Sequence, residues 1–455
     1  MNGPSPVHHR TQISARTEQA FKGVLTALSS ERAVVVVKAP PGSGKTYLLS
    51  RVVQALAKRE QRIAIAAQTN AQADDLCRRL ADAPWKVRSY RFVGSGGGMD
   101  EPAEGVTEVS SFDDLPIGPC VVVGTSAKWG LAQIKQWFDV LLVDEAWQMQ
   151  WLQFIPLGRV ASRFVLIGDP GQIPPVVAID ASRWETAEIP PHLAAPEVIC
   201  SGVGRRAGVV PVELQLPASR RLPYDAVELL QPFYDFPFAS WALPGERAVV
   251  ATGRIVEPID RGIDLLAEGS VVGVTIPTVD DLPASDMDED VAELVVRIAT
   301  RILERKAKVR MLDIDDGHGE RPVTAQDIGI SATHRMMNEL IARRVARSSV
   351  LEGVRVDTPE RWQGLQRLIT IAVHPLSGVL RPSSFDLETG RLCVMASRHQ
   401  GGLIVAGRDH IADTLDGLIV AADQPIGRPD IAGRGHQQHL KFWRSLEAAK
   451  RVVSL

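Results

Sequence analysis

The chain carries little excess charge of either sign: 51 lysines and arginines stand against 54 aspartates and glutamates, a formal net charge of −3 over 455 residues. That balance excludes a protein that coats nucleic acid through its overall field, so any grip on phosphates has to come from a local groove. Cysteine is scarce. The four residues Cys77, Cys120, Cys200 and Cys393 lie far apart with no pair at zinc or redox spacing, and they read as buried thiols in a reducing, cytoplasmic setting. No apolar run approaches the ~20 residues that span a bilayer, so no membrane partner is expected. The opening MNGPSPVHHRTQIS has no signal-peptide core, and residues 1–14 read as a disordered leader. No repeat recurs at a solenoid period. His436 and His439 stand three apart in GHQQH without further ligands nearby, which predicts a surface helix rather than a metal site.

What is present is enough apolar material, 45% of the residues, to bury a core in each of two or three domains. Five short β-branched runs occupy the first half: AVVVVK (33–38), RIAIAA (62–67), CVVVGT (120–125), VLLVDE (140–145) and RFVLIGD (163–169). Continuous apolar character without alternation predicts strands covered on both faces, hence parallel sheets between helices. A second series, VVGVTI (271–276), IGISAT (328–333), VRVDT (354–358), LITIAV (368–373) and GLIVAG (402–407), predicts a second α/β domain. The Pro-, Ala- and Gly-rich stretch 176–212 places the junction near 212, giving domains 15–212 and 213–455. Only about 35 residues separate the helix AQADDLCRRLAD from the strand before Thr125, so the insertion at about 84–119 has room for a small subdomain at most. Its GSGGGMDEPAEG (94–105) reads as an exposed loop, and DDLPASDMDED (280–290) as an acidic loop entering a helix.

Two motifs carry chemistry. The first β-branched run ends in APPGSGKT, Ala39 to Thr46, with a helical pattern behind it. Small residues such as Gly42, Ser43 and Gly44 let backbone N–H groups wrap a β-phosphate, a lysine such as Lys45 reaches the β and γ oxygens, and a hydroxyl such as Thr46 serves Mg²⁺. In WFDVLLVDEAWQM an apolar run stops on adjacent carboxylates, Asp144 and Glu145, whose burial demands something positive nearby. Together the motifs imply an ATP·Mg²⁺ site in which Asp144 holds the metal and Glu145 polarises the attacking water.

In this order the motifs resemble those of superfamily 1 helicases, in the branch of the nonsense-mediated-decay RNA helicase, over residues 15 to 410. The resemblance implies tandem RecA-like domains with mainly parallel sheets. RTEQAFKGVL resembles the Q motif and carries Gln19 to the adenine edge; IAIAAQTNAQADDL resembles motif Ia, and VVVGTSAKW motif Ic, carrying Thr69, Asn70 and Thr125 to the nucleic-acid backbone. Both threonines also suit helix caps. DEAWQ resembles motif II with Gln148 as a coupling residue, and LIGDPGQIPPV resembles motif III with Gln172 sensing the γ-phosphate. LQLPASRRLPYDAVELLQPFY resembles motif IV, where counting from Pro223 selects Arg220 over its neighbour Arg221, and forward selects Tyr234. VDTPERWQGLQRLITIAV resembles motif V with Gln363 and Gly364; Gln366 stands where the family has glutamate, an uncharged amide that still bonds a ribose hydroxyl. GRLCVMASRHQ resembles motif VI and makes Arg398 an arginine finger.

The resemblance implies a monomeric motor that hydrolyses ATP between its two domains and moves 5′-to-3′ on single-stranded DNA or RNA. His334 and Arg335 match a second-domain position that touches nucleic acid, and Trp129 and Trp362 are candidates for base stacking or for core. Three other readings remain: an ATPase that remodels protein complexes without unwinding, a nucleotide switch or scaffold with decayed catalysis, and a small-molecule phosphotransferase. The last leaves the second α/β half unexplained.

Overall fold

The computed structural model describes residues 6–82, 88–94, 98–99, 103–177, 181–184, 187–203, 210–313, 319–420 and 431–455. The Gly-rich stretch 94–105 therefore falls partly outside the described residues, as do residues 1–5 and 83–87. The chain divides into two compact α/β units: residues 1–170 with 174–217, and residues 171–173 with 218–455.

The first unit is built on eight strands: β1 (Ala33–Lys38), β2 (Ile63–Ala67), β3 (Ser89–Phe92), β4 (Val106–Val109), β5 (Val121–Thr125), β6 (Val140–Val143), β7 (Arg163–Gly168) and β8 (Val212–Gln215). They form one parallel sheet in the order β4-β3-β5-β2-β6-β7-β1-β8. Successive side chains of a strand point to opposite faces. Here Val35 and Val37 enter one apolar cluster and Val36 another; Ile63 and Ile65 part from Ala64 and Ala66, and Val140 and Leu142 from Leu141 and Val143. Both faces are buried, which is why these strands read as unbroken apolar runs.

The second unit contains β9 (Ala218–Ser219), β10 (Ala239–Ser240), β11 (Arg247–Val250), β12 (Val271–Ile276), β13 (Lys308–Met311), β14 (Glu320–Pro322), β15 (Ile328–Ser331), β16 (Arg355–Asp357), β17 (Arg367–Val373), β18 (His399–Arg408) and β19 (Val452–Ser454). Its main sheet is parallel in the order β16-β15-β17-β18-β12-β19. An antiparallel sheet β11-β13-β14 and a two-residue ribbon β9-β10 accompany it. The acidic loop before residue 290 has an internal partner: buried Arg408 donates to both carboxylate oxygens of Asp288 at 2.6 and 2.8 Å, while Asp288 caps the helix Glu289–Glu304.

Three expectations need correction. Residues 6–14 are not disordered: Pro6–Ala27 is a helix, α1, whose Ile13, Ala20 and Val24 are buried. The described residues of the insertion add two short strands, β3 and β4, to the edge of the first sheet. The first unit runs past 212, since the largely exposed VELQ of β8 pairs in parallel with β1. Finally, His439 is not on a surface. The helix Ile431–Ala448 exists, but it turns Ala432, His439, Phe442, Trp443 and Leu446 inward at helical spacing. The His439 and His374 rings meet edge to face with centroids 5.4 Å apart.

Burial drives the His439 imidazole down to about 3, with the His436 charge adding to it, and drives His399 down to about 4. It also holds His374 well below its ordinary value, helped by His439 and His410. A histidine neutral in the fold but protonated when unfolded costs stability as pH falls through its unfolded value. The contribution of these histidines to stability is therefore expected to be flat above their ordinary value of 6.5 and to fall towards about 4, with a slope of up to about 1.4 kcal/mol per pH unit for each histidine. Denaturant midpoints measured across this range check it, and His439→Phe should flatten the slope.

Candidate nucleotide-binding site

β1 runs straight into the phosphate loop. Ala39, where the strict pattern has glycine, keeps strand pairing, its N–H donating to the Gly168 carbonyl at 2.8 Å. The turn comes later: Gly42 has φ 67° and Gly44 φ 87°, values that favour glycine, and α2 (Lys45–Ala57) starts immediately after Gly44. The orphan N–H groups of that first helical turn face whatever the loop holds. The Ser43 hydroxyl is buried and meets no partner among the described residues.

β6 ends at Val143, and Asp144 and Glu145 follow. Lys45 is the cation the two carboxylates require: its Nζ lies 2.8 Å from each carboxylate oxygen of Glu145, and both side chains are largely buried. Glu145 has the left-handed backbone φ 49°, ψ 46°, and its N–H donates to Asp144 Oδ1 at 3.0 Å. Desolvation lifts the Asp144 carboxyl well above the usual carboxylate range; the Glu145 charge adds to the lift, and Lys45 opposes it. β7 lies between β6 and β1 in the sheet, so the carboxylates reach Lys45 across one intervening strand. These residues fit a triphosphate with its Mg²⁺: an orphaned hydroxyl, two glycine turns, a lysine, and Thr46 with Asp144 as oxygen donors for a hard cation.

At the same edge of the sheet, the ends of β2 and β5 carry the other first-unit candidates. Thr69 and Thr125 both cap helices: Thr69 accepts from Gln72 at 3.2 Å at the start of α3 (Asn70–Asp82), and Thr125 from Lys128 at 3.2 Å at the start of α4 (Ser126–Leu131). The Asn70 side-chain oxygen accepts from Arg91 at 3.0 Å, and buried Arg91 is itself fixed by Asp74 at 2.6 Å. Arg91 and Asp74 were not legible as site neighbours, because β3 reads as part of an insertion. Gln19 lies exposed on α1, next to Glu18, whose carboxylate pairs with Arg51 at 2.9 Å. Trp129 is core, fully buried with its indole N–H on the Ile65 carbonyl at 2.9 Å; so is Trp362, on Ile330 at 3.3 Å. Neither is a stacking platform.

In the second unit the structure brings Arg221, rather than Arg220, to the other motifs. Arg221 donates to the Gln366 side chain at 2.9 Å and to the Ser397 carbonyl at 3.2 Å, whereas Arg220 lies over the Trp241 ring at 4.2 Å. The adjacent pair in SRRLP left the choice to counting. Arg398 is buried, with its Nε donating to Val394 at 3.0 Å. Gln363 is half-buried and Gly364 takes φ 78°. Gln172 is buried, and Gly390 lets its carbonyl approach, since a Cβ there would sit 2.7 Å from it. Tyr234 packs in the core against Phe236 and Phe238. His334 precedes the helix Arg335–Val345 with its Nε2 3.3 Å from Ser285, and Arg335 pairs with Glu339 at 3.0 Å. Among the described residues no cluster of three or more His, Cys, Asp or Glu could hold a metal, and no helix is long and apolar enough to cross a membrane.

A family model described as an AAA domain matches residues 16–190. Over 181 residues, 36% of this chain, the sequence is 30% identical to the DNA replication ATP-dependent helicase/nuclease JHS1 of Arabidopsis thaliana. Over 195 residues, 40% of this chain, it is 23% identical to the DNA replication ATP-dependent helicase/nuclease DNA2 of Saccharomyces cerevisiae. Each match spans 12% of the relative's length. Among solved structures, the arterivirus nonstructural protein 10 helicase is similar with a TM-score of 0.43 at 15% identity, over 88% of this chain and 64% of that one.

Because burial raises the Asp144 carboxyl, protons would compete with a Mg²⁺ held there. Binding of a fluorescent nucleotide in Mg²⁺ is expected to weaken as pH falls from about 8 to about 6, by up to roughly tenfold per unit. Asp144→Asn should bind more weakly and lose the dependence; a pH response unchanged in that variant would assign it elsewhere.

Proposed function

We propose that the chain is an ATP-driven translocase or helicase of superfamily 1, of the branch with glutamine after the acidic pair (DEAWQ, 144–148), acting as a monomer on single-stranded DNA or RNA. One observation carries the reading. The phosphate loop, the Asp144–Glu145 pair and the Thr69 and Thr125 loops all leave the carboxyl ends of strands in a single parallel sheet, β5-β2-β6-β7-β1, the edge at which open α/β sheets place ligands.

In this reading the N–H groups from Gly42 to Thr46 and the Lys45 ammonium bind the phosphate oxygens of ATP. Thr46 and Asp144 hold the Mg²⁺, which when bound supplies positive charge against the phosphate oxygens. Lys45 exchanges Glu145 for phosphate, and the released carboxylate orients the attacking water and accepts its proton. Arg221, in place of Arg220, and Arg398 answer the developing γ-phosphoryl charge, a role worth about 10³ to 10⁵ in rate, and Gln172 senses the γ-phosphate. Gln19, Gly364 and Gln366 serve the base and ribose. Thr69, Asn70, Thr125, His334 and Gln363 hold the nucleic-acid backbone; contacts to phosphate and sugar carry no sequence information, so binding is expected to tolerate any sequence.

ATP turnover titrated in parallel with single-stranded DNA and RNA tests the proposal. Wild type is expected to be stimulated by at least one of them. Glu145→Gln should retain ATP binding while its turnover drops about 10² to 10⁴-fold. Turnover indifferent to both polymers would sink the translocase reading, and wild-type hydrolysis by Glu145→Gln would remove Glu145 as the base.

A further inference from the structure

Gln68 is the first residue beyond β2, the strand that lies between β5 and β6. Its backbone is fixed from one side: the N–H groups of Gln68 and Thr69 both donate to Gln72 Oε1, at 3.1 and 3.2 Å, inside the first turn of α3. Its side chain is left to reach across the sheet edge, and both ends of the amide are engaged. Oε1 accepts from the hydroxyl of Ser126, the residue after Thr125, at 3.3 Å; Nε2 donates to the backbone carbonyl of Asp144 at 3.5 Å. One amide therefore spans the tips of three adjacent strands.

The peptide it holds is the sensitive one. Asp144 N–H is tied to the Ala66 carbonyl at 3.0 Å, but Glu145, one residue on, sits in left-handed backbone. A non-glycine residue keeps such a conformation only where its surroundings enforce it, and rotation of the 144–145 peptide moves the Glu145 N–H that donates to Asp144 Oδ1. Both side-chain bonds are long, so either is cheaply exchanged when a neighbouring loop moves.

We propose that Gln68 is a positioning residue that transmits a pull on the Thr69 and Ser126 loops to the Asp144–Glu145 peptide, and thereby couples single-strand binding to ATP turnover. The proposal rests on the translocase reading for its input: loops that grip nucleic acid feel the pull, and the amide passes it to the carboxylates. Gln68 touches neither substrate, so its removal lowers the response of the enzyme rather than its chemistry.

The test is the ratio of maximally stimulated to unstimulated ATP turnover in the full chain, with single-strand affinity measured separately by fluorescence anisotropy. Gln68→Leu, of similar volume but unable to bridge, is expected to reduce the ratio at least about fivefold while anisotropy titrations stay close to wild type. Ser126→Ala, which removes one end of the bridge, should move the ratio in the same direction and decides the question if Gln68→Leu fails to fold. Gln68→Glu keeps the acceptor for Ser126 and loses the donor to Asp144, so it should behave like the leucine variant. An unchanged ratio in folded Gln68→Leu, or an equal loss of stimulated and unstimulated turnover, would overturn the relay and leave the translocase reading standing. A wild-type chain that no single strand stimulates would overturn both.

Discussion

Two carboxylates side by side at the end of a buried strand are tolerable only with a cation against them, and the first unit is arranged so that Lys45 is that cation. The phosphate loop places Lys45 at the start of α2, the sheet places Asp144 and Glu145 across one intervening strand, and the left-handed turn at Glu145 aims its carboxylate at the ammonium. Leaving either partner alone in so enclosed a setting is far costlier than the net gain of the pair. The same lysine suits a polyphosphate for the same reason: both are oxyanions presented to a desolvated ammonium.

The second unit handles its buried cations by a similar rule. Arg408 is locked onto Asp288, Arg301 donates to both oxygens of Asp260 at 2.9 and 2.7 Å, and Arg247 is held by Asp313. The half-buried Arg221 donates to the neutral Gln366 amide and to a backbone carbonyl. A glutamate at 366 would form a charged pair with Arg221, whereas the amide accepts a hydrogen bond from it without adding a charge.

Much of the architecture was legible because a parallel strand covered on both faces must be apolar throughout. β1, β2, β5, β6, β7, β12, β15, β17 and β18 all fall within or against the runs found by that criterion. The strands that escaped it are short edges or antiparallel pieces, such as β8 with VELQ and β14 with ERP, whose exposed side chains erase the signal. The phosphate loop and the acidic pair were readable as motifs; their meeting across β7 follows from strand order, which composition does not encode. Trp129 and Trp362 show the opposite limit. An indole at a motif suits a base or a core equally well, and here each N–H satisfies a strand carbonyl. His439 was misjudged for want of the inward spacing of Ala432, Phe442 and Leu446, which was present in the sequence.

The alternation along β1 and its neighbours has a corollary for how such a chain can change over time. Val35 and Val36 are consecutive in sequence yet line separate apolar layers on opposite sides of the backbone. A volume gained at one cannot be offset at the other; compensation has to come from residues distant in sequence that share a layer, such as Leu49 and Ile65 for Val35, or Leu141 and Leu166 for Val36. Adjacent codons are thus expected to drift independently, while correlated replacement links the helices on one side of the sheet to every second position beneath them.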